Sequence, residues 1–242
     1  MKIQAFGRTD VGLVRERNED RALVGERLFV VADGLGGHNA GDVASSMLVA
    51  EMDGLDIQTF ATSDDAYAAL VASIEAANKR IHQRAVNEPD REGMGTTVTA
   101  GLLHGDTMLL AQVGDTRAYL KRGDAPMRRV TPDHSYVGAL IEAGVITEEE
   151  ARTHPKRSVI LKALGQAEEV GVEAGEHVAL QVGDELVLVS DGVHGVIDDA
   201  ELERIVHDKP LMDAVEGVIT AARDAGGPDN ITIVMVRVLP DG

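Results

Sequence analysis

This sequence predicts an α+β fold in which antiparallel sheets carry helices on their outer faces. Three observations lead there. Strands come in adjacent pairs joined by short turns, and helices also come in pairs. A hydrophobic share of 44% with three Phe, three Tyr and no Trp demands an aliphatic core. The strict strand–helix alternation of a parallel doubly wound sheet is missing. No Pro/Ser-rich linker, low-complexity tract or internal repeat breaks the 242 residues, so residues 1–242 are expected to form a single domain.

Arg21–Ala32 reads as a hairpin whose second strand, Leu28–Ala32, is continuously apolar and so buried on both faces. Asp42–Met52 and Asp65–Val86 have helical spacing; in the second, Ala69, Leu70, Ile74, Ala77 and Ile81 share one face. Thr96–Leu103 and Thr107–Val113 flank the short loop His104-Gly105-Asp106, which suits a hairpin. Arg117–Lys121 and Met127–Thr131 flank another turn, Arg122-Gly123-Asp124. Ser135–Ala143 and Thr147–Arg152 read as short helices around Gly144, the second opened by a capping box of Thr147 and Glu150. Strands follow near Val170–Val178 and Glu185–Ser190, then helices at Asp199–Val206 and Leu211–Arg223, and a closing strand at Ile231–Val238.

Composition narrows the chemistry. With 23 Lys and Arg against 41 Asp and Glu, the formal charge is −18, the wrong sign for a phosphate backbone. The absence of cysteine excludes disulfides, zinc–thiolate and iron–sulfur sites and a thiol nucleophile, and fits a reducing compartment. The first ten residues contain no apolar signal region, and no apolar run approaches the roughly 18–20 residues of a membrane span. A cytoplasmic protein acting through carboxylates, hydroxyls, His, Arg or metals is expected, with neither nucleic acid nor membrane as partner.

The acids are unevenly placed. Residues 171–202 hold eight Asp and Glu and no Lys or Arg. Within them Leu186–Ser190 runs into Asp191-Gly192, as Leu28–Ala32 runs into Asp33-Gly34 and Leu109–Val113 into Gly114-Asp115; Asp229 directly precedes the last strand. Any one strand-end Asp-Gly is commonly a turn, because Gly accepts positive φ and Asp bonds the local backbone. If all four converge, their mutual repulsion calls for a hard divalent cation such as magnesium or manganese, and a pair of such ions activates water for in-line attack on phosphorus. Arg15, followed by Glu19 and Asp20, adds a permanent cation that can fork two phosphoryl oxygens, although the same stretch alone would pass for a surface salt-bridge run.

Seven segments in order resemble the metal-dependent Ser/Thr protein phosphatases of type 2C, the PPM family, in their compact bacterial form. They are TDVGLVRERNED at 9–20, VVADGLGGHNAGDVAS at 30–45, GMGTTVTAGLL at 93–103, AQVGDTRAYL at 111–120, the stretch 131–165, LVLVSDGVHGV at 186–196 and GGPDNITIVMV at 226–236. The resemblance implies a four-layer α-β-β-α sandwich of two stacked antiparallel sheets flanked by helix pairs, with a flap over roughly residues 133–165. It implies two or three divalent cations, manganese or magnesium. Asp33 resembles the carboxylate bridging two metals, Gly34 the residue lending a carbonyl, and Asp191 and Asp229 the remaining ligands of the first ion. Glu19 and Asp20 resemble acids holding metal-bound water, and Arg15 the phosphate-binding arginine. Asp115 resembles a ligand of a third ion shared with Asp191, with Ser158 a further contributor. The chain departs from many relatives at Leu35, where some have a His proposed as general acid, which leaves His38 as the nearest candidate. It departs also at Gly195, where many have Asp, and at Thr116, where Ser is usual.

Hydrolysis of phosphoserine and phosphothreonine in proteins by a water bridging the two metals is the implied activity. The partners would be phosphorylated proteins, a bacterial Ser/Thr kinase and its substrates, met by a monomeric enzyme. A phosphatase of anti-sigma-antagonist proteins is the enzymatic variant. A catalytically silent phosphoprotein-binding regulator on the same fold is the alternative, and the presence of Asp33, Asp191 and Asp229 together argues against it.

Overall fold

The apolar run Leu28–Ala32 sorts its side chains alternately into two cores. Phe29 and Val31 enter one, while Leu28, Val30 and Ala32 enter the other. A strand with no polar position is one covered on both faces. The computed structural model describes residues 1–36 and 40–241.

In chain order the strands and helices begin with β1 (Lys2–Asp10), β2 (Arg21–Val24), β3 (Leu28–Ala32), β4 (Gly34–Leu35), α1 (Gly41–Met52) and α2 (Ser63–Asn87). There follow β5 (Gly95–Thr96), β6 (Val98–His104), β7 (Thr107–Val113), β8 (Arg117–Lys121), β9 (Arg128–Arg129), α3 (Tyr136–Glu142) and α4 (Glu148–Arg152). The chain ends with β10 (Glu173–Ala174), β11 (Val178–Ala179), β12 (Glu185–Val189), α5 (Asp191–His194), α6 (Asp199–Val206), α7 (Leu211–Asp224) and β13 (Ile231–Leu239).

One sheet has the order β1-β13-β12-β8-β9 and the other β10-β7-β6-β3-β2, with β11 also on β7. The pairings are antiparallel throughout. Phe29, Val31, Leu110, Leu188, Val234 and Val236 fill the space between the sheets. The opposite face of the first sheet, with Val187, Val189, Ile233 and Met235, is covered by α6 and α7. The opposite face of the second is covered by α1 and α2. Helices, sheet, sheet and helices make the expected four layers.

The structure corrects several element assignments. The N-terminal segment, unassigned from sequence, is the nine-residue edge strand β1, paired with β13 from Lys2↔Leu239 to Asp10↔Ile231. It was hidden because Lys2, Gln4 and Arg8 break any apolar run, while Ile3 and Ala5 pack between the sheets and Phe6 on the helical side. The strand expected at Val170–Val178 is only β10 and β11, two residues each. The Asp-Gly at 191–192 opens the short helix α5.

Candidate active site

Strand direction gathers the candidate acids. Asp33 follows β3, Asp115 lies just beyond β7, Asp191 follows β12 and Asp229 precedes β13. With β12 and β13 antiparallel at Val189↔Ile233, and β6 and β7 at Val98↔Val113, these ends meet at one edge of the sandwich. Asp33 and Asp191 lie close enough for each carboxyl to shift the titration of the other. Burial pushes Asp33 well above the ordinary carboxylate range, and Asp20, Asp191 and Asp115 push it further. Asp191 is raised by burial and by Asp229. Asp115, only 4% exposed, is raised by burial and then by Asp191 and Asp133.

The neighbouring acids sit deeper or to one side. Asp20 is buried and accepts a hydrogen bond from Thr232 Oγ1 at 2.6 Å. Burial lifts its pKa to about 7 despite help from Thr232 and Ser190. Glu19, raised by burial and by Asp42, accepts the Gly41 N–H at the start of α1. Arg15 Nη2 donates to Asp229 Oδ2 at 2.7 Å, and the rest of its guanidinium is left largely exposed. Its bond to Asp229 raises the Arg15 pKa, so this cation stays charged.

Two features suit an ion. Asp191 Oδ1 and Asp115 Oδ1 are buried oxygens without a hydrogen-bond partner among the described residues, a costly state that a cation relieves. Gly34 lies so close to the backbone of its neighbours that a Cβ there would stand 2.4 Å from the Gly41 carbonyl oxygen and 2.5 Å from that of Glu19. Among the described residues no group of three or more His, Asp or Glu side chains forms a ready-made metal cage. The donors fit instead ions that take one or two carboxylates each, a backbone carbonyl and water, as magnesium does.

Ser158 is exposed on the rim of a cleft of about 90 Å³ whose walls include Asp115 and Asp191. His38 lies outside the described residues.

Sequence reasoning missed three supporting groups. Asn230 accepts the Glu19 N–H at 2.8 Å and donates to the carbonyls of Val11 at 3.0 Å and Arg17 at 2.8 Å, so it fastens the loop that carries Arg15. His194 Nε2 donates to the Asp115 carbonyl at 2.9 Å; burial and then Arg117 depress its pKa to about 3, which keeps the ring neutral. Arg117 grips Asp133 through Nη2 at 2.6 Å and Nε at 3.0 Å. The Asn in Asp229-Asn230 was visible in sequence, but nothing there tells which distant backbone it serves.

The model of the family described as Protein phosphatase 2C matches residues 16–234. The chain is 40% identical over 238 residues to a Listeria innocua serine/threonine phosphatase, stp, covering 95% of this chain and 94% of that one. It is 39% identical over 233 residues to the Mycobacterium tuberculosis serine/threonine protein phosphatase PstP, covering 96% of this chain and 44% of the relative, so it spans less than half the length of PstP. The crystal structure of the PstP catalytic domain in complex with two manganese ions superposes with a TM-score of 0.88 at 35% identity, over 98% of this chain and 99% of that one. The chain belongs to the protein phosphatase 2C family.

Proposed function

We propose that the chain is a metal-dependent protein serine/threonine phosphatase, one catalytic domain over residues 1–242 with a flap at roughly 133–165. The observation that carries this reading is the convergence of Asp33, Asp115, Asp191 and Asp229 beside the guanidinium of Arg15, with two buried carboxylate oxygens unpaired. Asp33, the Gly34 carbonyl, Asp191 and Asp229 would hold two divalent ions, manganese or magnesium, with Glu19 and Asp20 behind them and Asp115 and Ser158 toward a third. Bound there, such ions supply a water nucleophile active near neutral pH and Lewis-acid stabilisation of the phosphoryl group. The manganese of the PstP catalytic domain supports that choice.

The remaining work falls to the chain. Arg15 commits one N–H to Asp229, and its other donors can fork the non-bridging oxygens of a phosphoryl group. Because they are fixed beforehand, they stabilise charge as it shifts in the in-line transition state. In the balanced step, the water oxygen bonds phosphorus, the bond to the Ser or Thr oxygen breaks, and the alcohol leaves with a proton. Phosphorylated proteins, a Ser/Thr kinase and its substrates are the proposed partners. No helix among the described residues is long and apolar enough to cross a membrane. A cytoplasmic, monomeric enzyme is part of the proposal, on the resemblance to compact bacterial members of the family.

Turnover of p-nitrophenyl phosphate and a phosphothreonine peptide with manganese tests the reading. Activity is expected to vanish in EDTA, and Asp33→Asn and Asp191→Asn to lower it at least about 100-fold in folded protein. Activity that survives either treatment overturns the mechanism. Peptide binding without turnover would instead identify a silent regulator.

A further inference from the structure

His194 makes a hydrogen bond to which the proposed chemistry gives no task. Its Nε2 lies 2.9 Å from the Asp115 carbonyl oxygen. A carbonyl only accepts, so Nε2 bears the ring hydrogen and this contact fixes the tautomer. His194 stands three residues after Asp191 on α5, and both line the same cleft as Asp115. The bond therefore ties the chain at Asp115 to the short helix that opens with Asp191. Each of these two acids leaves a buried Oδ1 without a hydrogen-bond partner among the described residues. The other acids of that cleft are engaged: Asp133 with Arg117 at 2.6 Å, and Glu148 with Arg129 at 3.6 Å. Gly195, beside His194, brings no side chain.

Asp115 sits where the chain crosses from β7 in one sheet to β8 in the other. The shoulders of that crossover are held by its own strands. Gln112 Nε2, buried on β7, donates to the Gly114 carbonyl at 3.0 Å and to the Thr116 carbonyl at 2.7 Å. Thr99 donates to Gln112 Oε1, which sets the orientation of that amide. Arg117 opens β8 opposite Val189 of β12. The peptide at the apex, the Asp115 carbonyl, is the one His194 takes. α5 has little room to move under this load, since a Cβ at Gly192 would stand 1.9 Å from the Asn230 carbonyl oxygen. The tie thus sets the direction of Asp115 relative to Asp191 during folding, before any ion arrives. Two unpaired carboxylate oxygens would otherwise turn away from each other.

Resting on the phosphatase reading, we infer that His194 is a positioning residue for a divalent ion shared by Asp115 and Asp191. It acts through the Asp115 backbone and touches neither ion nor substrate. Loss of its Nε2–H weakens that ion selectively and leaves the ions held by Asp33 and Asp229 in place.

Manganese titration calorimetry of the metal-free protein tests this, with Asp115→Asn marking the binding event that depends on Asp115. The dissociation constant of that event is expected to rise about 10–100-fold in His194→Leu, the usual cost of losing a bond behind a metal ligand. The remaining events are expected to stay as in the wild type. His194→Gln, whose amide still donates, is expected to restore the lost affinity. The manganese concentration for half-maximal hydrolysis of p-nitrophenyl phosphate should shift in parallel. A merely structural histidine would instead lower Tm in EDTA and leave the Asp115-dependent event unmoved. That event unchanged in folded His194→Leu, or not restored by His194→Gln, overturns the positioning role. So does a wild type with no event that Asp115→Asn removes. Should His194→Leu fail to fold, long-range proton–nitrogen NMR of the metal-free wild type decides: the Nε2–H tautomer is expected, and an Nδ1–H ring overturns the tie. Protein that binds no manganese and hydrolyses neither p-nitrophenyl phosphate nor a phosphothreonine peptide overturns the phosphatase reading instead.

Discussion

Asn230 is the side chain through which the last strand controls the first loop. It answers one N–H and two carbonyls between residues 11 and 19, a segment without regular structure of its own that carries Arg15. Asn230→Ala leaves those groups unpaired. It is expected to destabilise the protein by about 2–4 kcal/mol, the cost of orphaning partly buried backbone groups. It should also raise KM for p-nitrophenyl phosphate several-fold as Arg15 loses its fixed position. Thermal unfolding and steady-state kinetics of the variant check both effects; unchanged stability would remove the stapling role. At this scale the candidate acids were legible, since an aliphatic strand ending in Asp-Gly marks Asp33 and Asp191 locally. Their supports were not, because Asn230 and Thr232 act on residues more than 200 positions away.

Among the elements, the segment that opens with α3 depends on one buried ion pair. The Asp133 side chain is 2% exposed, between Arg117 at 2.6 Å and Arg129 at 3.5 Å, and it also holds the Ser135 N–H. Burial is the strongest single influence and works against its charge, but Arg117 and the bond from Ser135 act together with other neighbours to hold Asp133 below the ordinary carboxylate range. Removing one partner strands the other. Asp133→Asn is expected to cost about 3–5 kcal/mol, a fall in Tm of roughly 10 °C for a chain of this size. The double variant Arg117→Met/Asp133→Leu is expected to lose less than Asp133→Asn alone. Scanning calorimetry of the set decides, and strictly additive losses would mean the pair is not coupled. Elements with a strong period or a cap, such as β3, α2 and the boxed helix α4, were legible for local reasons. The edge strand β1 was not, because its partner β13 lies at the other end of the chain and only that pairing makes it a strand.

For the whole molecule, the charge of −18 becomes a matter of folding stability. Asp20, Asp33, Asp115 and Asp191 all have raised pKa values in the metal-free fold, Asp20 at about 7. A carboxyl raised above its unfolded value binds more protons folded than unfolded, so its contribution is lost as pH climbs through the folded pKa. His194 acts oppositely, since its folded pKa is depressed to about 3, but it takes up protons in the unfolded chain only near and below the ordinary histidine value of 6.5. Between pH 8 and 6.5 the carboxyls therefore dominate. In EDTA the protein is expected to gain on the order of 1 kcal/mol or more as pH falls across that window. Manganese reverses the sign. It binds the deprotonated ligands, so its stabilisation grows with pH, reaching about 2.7 kcal/mol per ion at 100 times Kd and several degrees of Tm. Thermal scans across pH 6.5–8, with and without manganese, should thus show opposite slopes that diverge toward pH 8. Parallel slopes would mean that these carboxyls neither share protons nor bind the ion, and would detach the acidity of the chain from its site.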